Sequence, residues 1–144
     1  MPNNAMEAFG MSAINRLAAR WVISEPIYVK WKGASGQVYE FELNDIGRPY
    51  QSHPGVYIFC HFGARNALVA DHIDEADDFA RRIGGNLTQH RAWEKISVAG
   101  STHICTLHVP GKAHARIRIE SDLRKAHEAP FAGGDVRAGT FPEM

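Results

Sequence analysis

Tyr57, Arg82 and Glu120 are of residue types that carry out phosphodiester cleavage, and they lie on three separate predicted elements. A tyrosine can take a proton from an attacking water. An arginine can hold a phosphate because its guanidinium offers paired donors and stays charged, and a carboxylate can hold Mg²⁺ together with several waters. In this order the three residues predict a metal-dependent site for phosphate chemistry.

Each of the three residues also has an ordinary structural interpretation. Tyr57 is the kind of aromatic residue that fills a buried strand, and Arg82 sits where the helix dipole favours a cation. Glu120 has Arg116 and Arg124 one helical turn away on either side, a spacing that gives surface ion pairs of about 0.3–0.5 kcal/mol each. Singly, these residues are explained by structure, whereas their order and spacing together favour a site.

The chain pattern predicts the elements that would position them. Alternating apolar and polar residues predict a β-hairpin, two further antiparallel strands follow a linker, and helical spacing then alternates with one more strand. The predicted order is a hairpin over 27–32 and 37–43, strands over 55–61 and 66–73, helices over 75–83 and about 86–98, a strand over 101–109 and a helix over 113–128. On the first core strand, Tyr57 shares a face with Phe59 and His61.

Composition limits the class of protein. The 144 residues predict one domain, and 16 basic against 16 acidic residues leave no net charge. A general nucleic-acid binder normally has a basic excess, so any such surface must be a local patch. Cys60 and Cys105 lie in apolar runs and are expected to be buried free thiols. Without a secretion signal or a membrane-spanning run, the expected location is the cytoplasm, with no membrane partner.

The motifs and their order resemble the GIY-YIG nuclease domain over residues 28–131. Gly55-Val56-Tyr57 matches the first tripeptide, and the second falls on His72-Ile73-Asp74. Arg82 follows His72 by ten residues, as the phosphate-binding arginine does in that family, and Ile119-Glu120-Ser121-Asp122-Leu123 matches the metal-site motif. The resemblance implies an α+β fold, with a small, mainly antiparallel central sheet flanked by helices and preceded by a β-hairpin.

The resemblance also implies a role for each site residue. Tyr57 is the general base toward the attacking water, Arg82 binds the phosphate, and Glu120 is the ligand of Mg²⁺ or Mn²⁺. His72 replaces the second tyrosine and can still donate a hydrogen bond or shuttle a proton. His90 and Trp93 resemble a His-x-x-Trp pattern of small stand-alone members, with His90 as a proton shuttle or a helix-surface residue and Trp93 as a packing residue.

Two departures from the family pattern affect the expected site. Asp74 stands where the family has glycine and adds a negative charge beside the phosphate position. It belongs to an acidic segment that would repel DNA unless cations neutralise it. The members of that segment are Asp71, Asp74, Glu75, Asp77 and Asp78. In the closing segment Ala129-Pro130-Phe131-Ala132, the last alanine replaces an asparagine, which removes one hydrogen bond.

Two functions follow. The first is a divalent-metal-dependent endonuclease acting on DNA. The second is a catalytically inactive descendant that binds nucleic acid or protein. A transition-metal site at His103, Cys105 and His108 is disfavoured, because His108 falls on the other face of the strand. The predicted organisation is an N-terminal extension or short helix over 1–26, the domain over 27–132 and a tail over 133–144.

Overall fold

The strand that carries Tyr57 lies inside a five-stranded antiparallel sheet. The computed structural model describes residues 25–127. The predicted N-terminal extension, the closing segment with Ala132 and the tail therefore lie largely or wholly outside the described residues. The strands are β1 (Ile27–Lys32), β2 (Val38–Asp45), β3 (Gly55–Phe62), β4 (Leu68–Ala76) and β5 (His103–His108), in the spatial order β1-β2-β5-β3-β4.

Both faces of β3 are covered, which makes this strand the centre of the core. Tyr57 and Phe59 point to one face, where they pack with residues of the connection that follows β4. Val56, Ile58 and Cys60 point to the other face, where they pack against Leu123 and the hairpin residues. The predicted division of β3 between two faces is thus confirmed, and so is the α+β class with an antiparallel sheet flanked by helices.

Three helices cover the sheet. Two short ones, α1 (Phe79–Ile83) and α2 (Trp93–Ala99), contribute to the core on the Tyr57 side. The long helix α3 (Ala113–His127) packs Leu123 on the opposite side, close to its predicted bounds. None of the helices within residues 25–127 is long and apolar enough to cross a membrane.

The predicted helix over 75–83 was wrong in its first turn. Residues 75 and 76 continue β4, where Glu75 pairs with Val56 and Ala76 with Gly55. The helix begins only at Phe79, because the Asp78 side chain accepts the Arg81 N–H and caps it. Ala76 is buried by the ladder and by packing, so its helical spacing to Phe79 was misleading.

Other bounds also differ from prediction. Strand β4 runs from Leu68 to Ala76 and not over 66–73, because its ladder with β3 continues to the pair of Gly55 and Ala76. The ladder has a bulge at Asp71: Phe59 pairs with His72, but Cys60 pairs with Ala70. Strand β2 ends two residues later than predicted, and β5 begins two residues later. The helix predicted over about 86–98 divides into a 3₁₀ turn (Leu87–Gln89) and α2. His90 has extended backbone angles between them, which ends the first turn.

Asp122 of α3 holds the turn of the N-terminal hairpin. Its carboxylate accepts the backbone N–H and the hydroxyl of Ser35, at 2.8 and 2.7 Å, and the hydroxyl of Tyr39 at 2.8 Å. Its carbonyl accepts the Ala34 N–H. A Cβ at Gly33 would lie 2.0 Å from the carboxylate, so this close approach requires glycine. The hairpin is therefore attached to the same helix that carries Glu120.

Replacing Asp122 with alanine is expected to loosen the hairpin, since three hydrogen bonds to its carboxylate disappear together. Amide hydrogen exchange of β1 and β2 should accelerate more than that of β3, and the midpoint of thermal unfolding should fall. Asp77→Ala is the control, because Asp77 is exposed and contacts only its own helix region through Arg81. Equal exchange of β1 and β2 in the two variants would contradict this role.

Candidate functional site

The predicted site residues meet at the C-terminal end of β4, which is an edge strand of the sheet. Tyr57 comes from β3, His72 and Asp74 from β4, Arg82 from α1 and Glu120 from α3. His90 and Arg91 lie in the connection between the 3₁₀ turn and α2. The sheet register places Tyr57 directly opposite Asp74, and His72 opposite Phe59 on the same face.

Tyr57 is completely buried, and its hydroxyl is surrounded by polar groups. The oxygen lies 2.8 Å from Nε2 of His90 and 3.5 Å from Oδ2 of Asp74. Burial and the charge of Asp74 raise the pKa of the hydroxyl, while a hydrogen bond and the charge of Arg82 act in the opposite direction. The neighbourhood therefore holds Tyr57 as a neutral phenol.

Asp74 is 3% exposed and contacts Tyr57, His72 and Arg91, the polar residues that surround it. Its Oδ2 binds the Arg91 guanidinium and lies 3.5 Å from Nε2 of His72, while Oδ1 accepts the Glu75 N–H at 2.9 Å. Burial opposes ionisation, but hydrogen bonds from His72, Arg91 and the Glu75 amide outweigh it and hold the pKa of Asp74 below its usual range. Asp74 is a buried, charged residue with partners from three parts of the chain.

His90 is a neutral imidazole in this setting. Burial and the proximity of His72 lower its pKa to about 4. The Ala92 N–H donates to Nδ1 of His90 at 3.0 Å, so Nδ1 is an acceptor and carries no proton. A neutral imidazole carries its proton on one nitrogen, which must then be Nε2, the atom that faces Tyr57. His90 therefore donates to the tyrosine oxygen.

His72 also belongs to the cluster. It is buried, with its Nδ1 lying 3.4 Å from Nζ of Lys95, and its ring meets those of Phe59 and His90 edge-on or tilted. The residue that replaces the expected second tyrosine thus contacts Asp74. Trp93 packs against the hydrophobic core, as predicted.

Two arginines reach the open edge of β4. Arg82 donates to the carbonyl of Glu75 at 3.3 Å, and Arg124 of α3 donates to the carbonyl of Ile73 at 3.0 Å. Arg81, the residue before it in the helix, has a side chain that is 67% exposed and pairs with Asp77. Arg82 is therefore the arginine that α1 directs to the site.

Glu120 lies on α3 beside this edge. Its side chain is 13% exposed and lies 3.5 Å from Arg124. Burial and the proximity of Asp74 and Glu75 raise its pKa to about 7, although Arg124 acts in the opposite direction. Carboxylate oxygens that repel one another are the donors that a hard divalent cation stabilises. The donor chemistry around Glu120 therefore fits Mg²⁺ or Mn²⁺.

Such a cation would depend on few protein ligands. Within residues 25–127, no group of three or more His, Cys, Asp or Glu side chains is arranged to hold a metal. Mg²⁺ is often held by one or two carboxylates with waters and substrate phosphates, so a single carboxylate such as Glu120 is compatible with this ion. Strand β5 has no transition-metal set, because Cys105 is buried in the core while His103 faces Asp45.

The negative charges of the predicted acidic segment are compensated in the structure by neighbouring side chains. Each of its carboxylates has a nearby partner: His61 and Ser101 for Asp71, Arg91 for Asp74, Arg116 for Glu75, and Arg81 for Asp77 and Asp78. Arg91 and Arg116 were not predicted as partners of these acids. Arg91 could have been found from the sequence because it directly follows His90. The pairing of Arg116 with Glu75 could not, because the two residues are 41 positions apart and no local pattern connects them.

Comparisons with known proteins leave the assignment of function to the site itself. No family model matches the chain, and no curated protein and no solved structure matches it.

Replacing Glu120 with glutamine tests the buried carboxylate. The folded-state pKa of about 7 exceeds the ordinary 4.5, so the contribution of Glu120 to stability is present below pH 4.5 and lost as pH rises through 7. Without divalent metal, the free energy of unfolding of Glu120→Gln should therefore rise by about 2 kcal/mol relative to that of wild type as the pH increases from 5 to 8. Urea unfolding at each pH measures the difference.

Glu40→Gln is the matched control, since Glu40 is exposed on β2. Its stability difference from wild type should stay constant over the same range. His90 titrates in part of this range with the opposite sign, because its lowered pKa costs stability as pH falls from 6.5 through about 4. That contribution is common to wild type and variants. A pH-independent difference for Glu120→Gln would contradict the raised pKa.

Proposed function

We propose that this protein is a divalent-metal-dependent endonuclease of the GIY-YIG type that cleaves phosphodiester bonds in DNA. The observation that carries the proposal is the convergence of Tyr57, Arg82 and Glu120 at the end of β4. The three residues come from β3, α1 and α3, and each interacts electrostatically with the same cluster: Arg82 with the Tyr57 hydroxyl, and Glu120 with Asp74. Ordinary ion pairing on the surface would not require Tyr57, Arg82 and Glu120 to lie close together.

Arg82 and Tyr57 would act together, Arg82 on the phosphate and Tyr57 on the attacking water. The Arg82 guanidinium interacts with the Tyr57 hydroxyl and donates a hydrogen bond of 3.3 Å to the Glu75 carbonyl. A phosphate is a stronger partner for a guanidinium than a neutral carbonyl or hydroxyl. Substrate binding would therefore draw Arg82 away from Tyr57, and the freed tyrosine oxygen would accept a hydrogen bond from the attacking water. As the proton of the water moves to Tyr57, the tyrosine's own proton would pass to Asp74, so that the phenol stays neutral.

Glu120 would hold the divalent cation. When bound, Mg²⁺ or Mn²⁺ supplies charge stabilisation to the leaving oxygen of the phosphodiester. The residues of the chain then have complementary roles. Glu120 would supply the carboxylate that attracts the cation, in its deprotonated form, and Arg124, 3.5 Å away, favours that form.

Nucleic acid is the favoured substrate because basic side chains surround the site despite the zero net charge of the chain. The Arg91 side chain is 68% exposed and stands over Asp74. The others that approach the end of β4 are Arg82, Lys95 and Arg124. Such a local patch supplies phosphate contacts without an overall basic balance.

One observation favours a second function, a catalytically inactive relative of such nucleases that binds nucleic acid or protein. Tyr57 is fully buried and its oxygen is surrounded by His90, Asp74 and Arg82. In an inactive protein, this arrangement would be structural. The two functions differ in whether Arg82 leaves Tyr57 when phosphate binds.

The decisive assay is the cleavage of supercoiled plasmid and branched DNA by purified protein with Mg²⁺ or Mn²⁺, compared with EDTA. Wild type should nick DNA only with metal. Tyr57→Phe, Arg82→Ala and Glu120→Gln should each lower the rate by about 10²-fold or more, because each removes a group that acts in the transition state.

Matched controls separate chemistry from general damage. Tyr28→Phe and Arg81→Ala change the same residue types at exposed positions, and they should cleave at the wild-type rate. Binding of DNA by wild type without metal and without cleavage would support the inactive relative. Cleavage that survives Tyr57→Phe and Glu120→Gln would refute the proposed mechanism.

A further inference from the structure

The hydrogen bonds around Tyr57 have a defined direction. His90 carries its proton on Nε2, because its Nδ1 accepts the Ala92 N–H at 3.0 Å. Nε2 therefore donates to the Tyr57 oxygen across 2.8 Å and has no lone pair with which to accept the tyrosine proton. The proton of Tyr57 must then point elsewhere.

Asp74 is the acceptor in that other direction. Its Oδ2 lies 3.5 Å from the Tyr57 oxygen, on the adjacent strand and directly opposite in the register. The remaining polar neighbour of the hydroxyl, Arg82, is a guanidinium and can only donate. Among the groups that surround Tyr57 in residues 25–127, Asp74 alone can accept its proton.

We propose that Asp74 is the positioning residue of Tyr57: its carboxylate accepts the hydrogen bond that the hydroxyl donates, and this leaves the tyrosine oxygen facing the substrate as an acceptor only. A phenol has one proton and two lone pairs. With the proton directed to Asp74 and one lone pair to His90, one lone pair stays for Arg82 or, after Arg82 turns to a phosphate, for the water. This proposal rests on the proposed nuclease function.

The role explains why a carboxylate is held at the end of β4. Asp74 is buried against Tyr57, and Arg91 and the Glu75 amide balance its charge. If position 74 lacked an acceptor, Tyr57 would have to donate to His90. The imidazole proton would then move to Nδ1, where it would collide with the Ala92 N–H.

The test is the tautomer of His90, measured by ¹⁵N NMR with histidine labelling and assigned by comparison with His90→Gln. Wild type should show a protonated Nε2 and an unprotonated Nδ1 at pH 7. Asp74→Ala should shift His90 toward the Nδ1-protonated form, or to exchange between the two. Asp74→Asn keeps a carbonyl acceptor and should retain the wild-type tautomer.

Asp77→Ala is the matched control, because Asp77 is an exposed carboxylate three residues further on, paired with Arg81. It should leave the His90 signals unchanged. In the cleavage assay, Asp74→Ala should lose about 10²-fold in rate, Asp74→Asn less, and Asp77→Ala nothing. The pH profile of the remaining activity should shift to lower pH in Asp74→Ala, because the negative charge that raises the Tyr57 pKa is lost while Arg82 and Arg91 remain. The other titratable groups at this end of β4 are His72, His90, Lys95, Glu75 and Glu120, and all of them are unchanged in the variant.

The NMR result separates this inference from the nuclease proposal. If wild type has the Nε2 tautomer and Asp74→Ala changes it, the positioning role stands even when no DNA is cleaved, and only the nuclease function fails. If His90 carries its proton on Nδ1 in wild type, or if Asp74→Ala changes neither tautomer nor activity in a folded protein, the inference is wrong.

Discussion

The buried carboxylate of Asp74 is the constraint on which the rest of the site depends. A charge this deep in a protein costs several kcal/mol unless hydrogen bonds and an opposite charge compensate it. Here the compensation comes from Arg91, from His72 and from the backbone of Glu75. Because Arg91 adjoins His90, satisfying Asp74 also brings the imidazole to Tyr57. The residues that could do chemistry are therefore held together by one electrostatic requirement.

The sheet edge has a related requirement. An edge strand exposes carbonyl and N–H groups that need partners. In β4 the carbonyls of Ile73 and Glu75 receive Arg124 and Arg82. Arginines that complete the backbone of an edge strand are well placed to exchange that carbonyl for a phosphate, since phosphate is the stronger acceptor. Protection of the edge and recognition of a substrate would thus use the same side chains.

Much of the fold was predictable because it depends on local patterns. The alternation of residues in β3 predicted the correct division of Tyr57 and Ile58 between the faces, and helical spacing predicted α3 to within one residue of its observed bounds. The start of α1 was not predictable from spacing, since the strand ladder buries Ala76. The bulge at Asp71 depends on pairing with Phe59 and Cys60, which no local pattern encodes.

The site was predictable in its members but not in its contacts. Tyr57, His72, Arg82, His90 and Glu120 all lie in or beside the cluster around Asp74. From the sequence, Asp74 was interpreted only as a departure from the family pattern that adds a negative charge. Its partner Arg91 was not predicted, because the two residues are 17 positions apart. The partner of His90 likewise depends on the chain path between α1 and α2.

The most direct measurement of the central claim is Mn²⁺ titration of ¹⁵N-labelled protein, with paramagnetic broadening read residue by residue. If the end of β4 is a cation site for phosphate chemistry, broadening at low Mn²⁺ should concentrate in residues 72–76 and 116–124, and Glu120→Gln should abolish it while Glu40→Gln does not. Broadening that is scattered over exposed acidic residues, or unchanged in Glu120→Gln, would contradict the account.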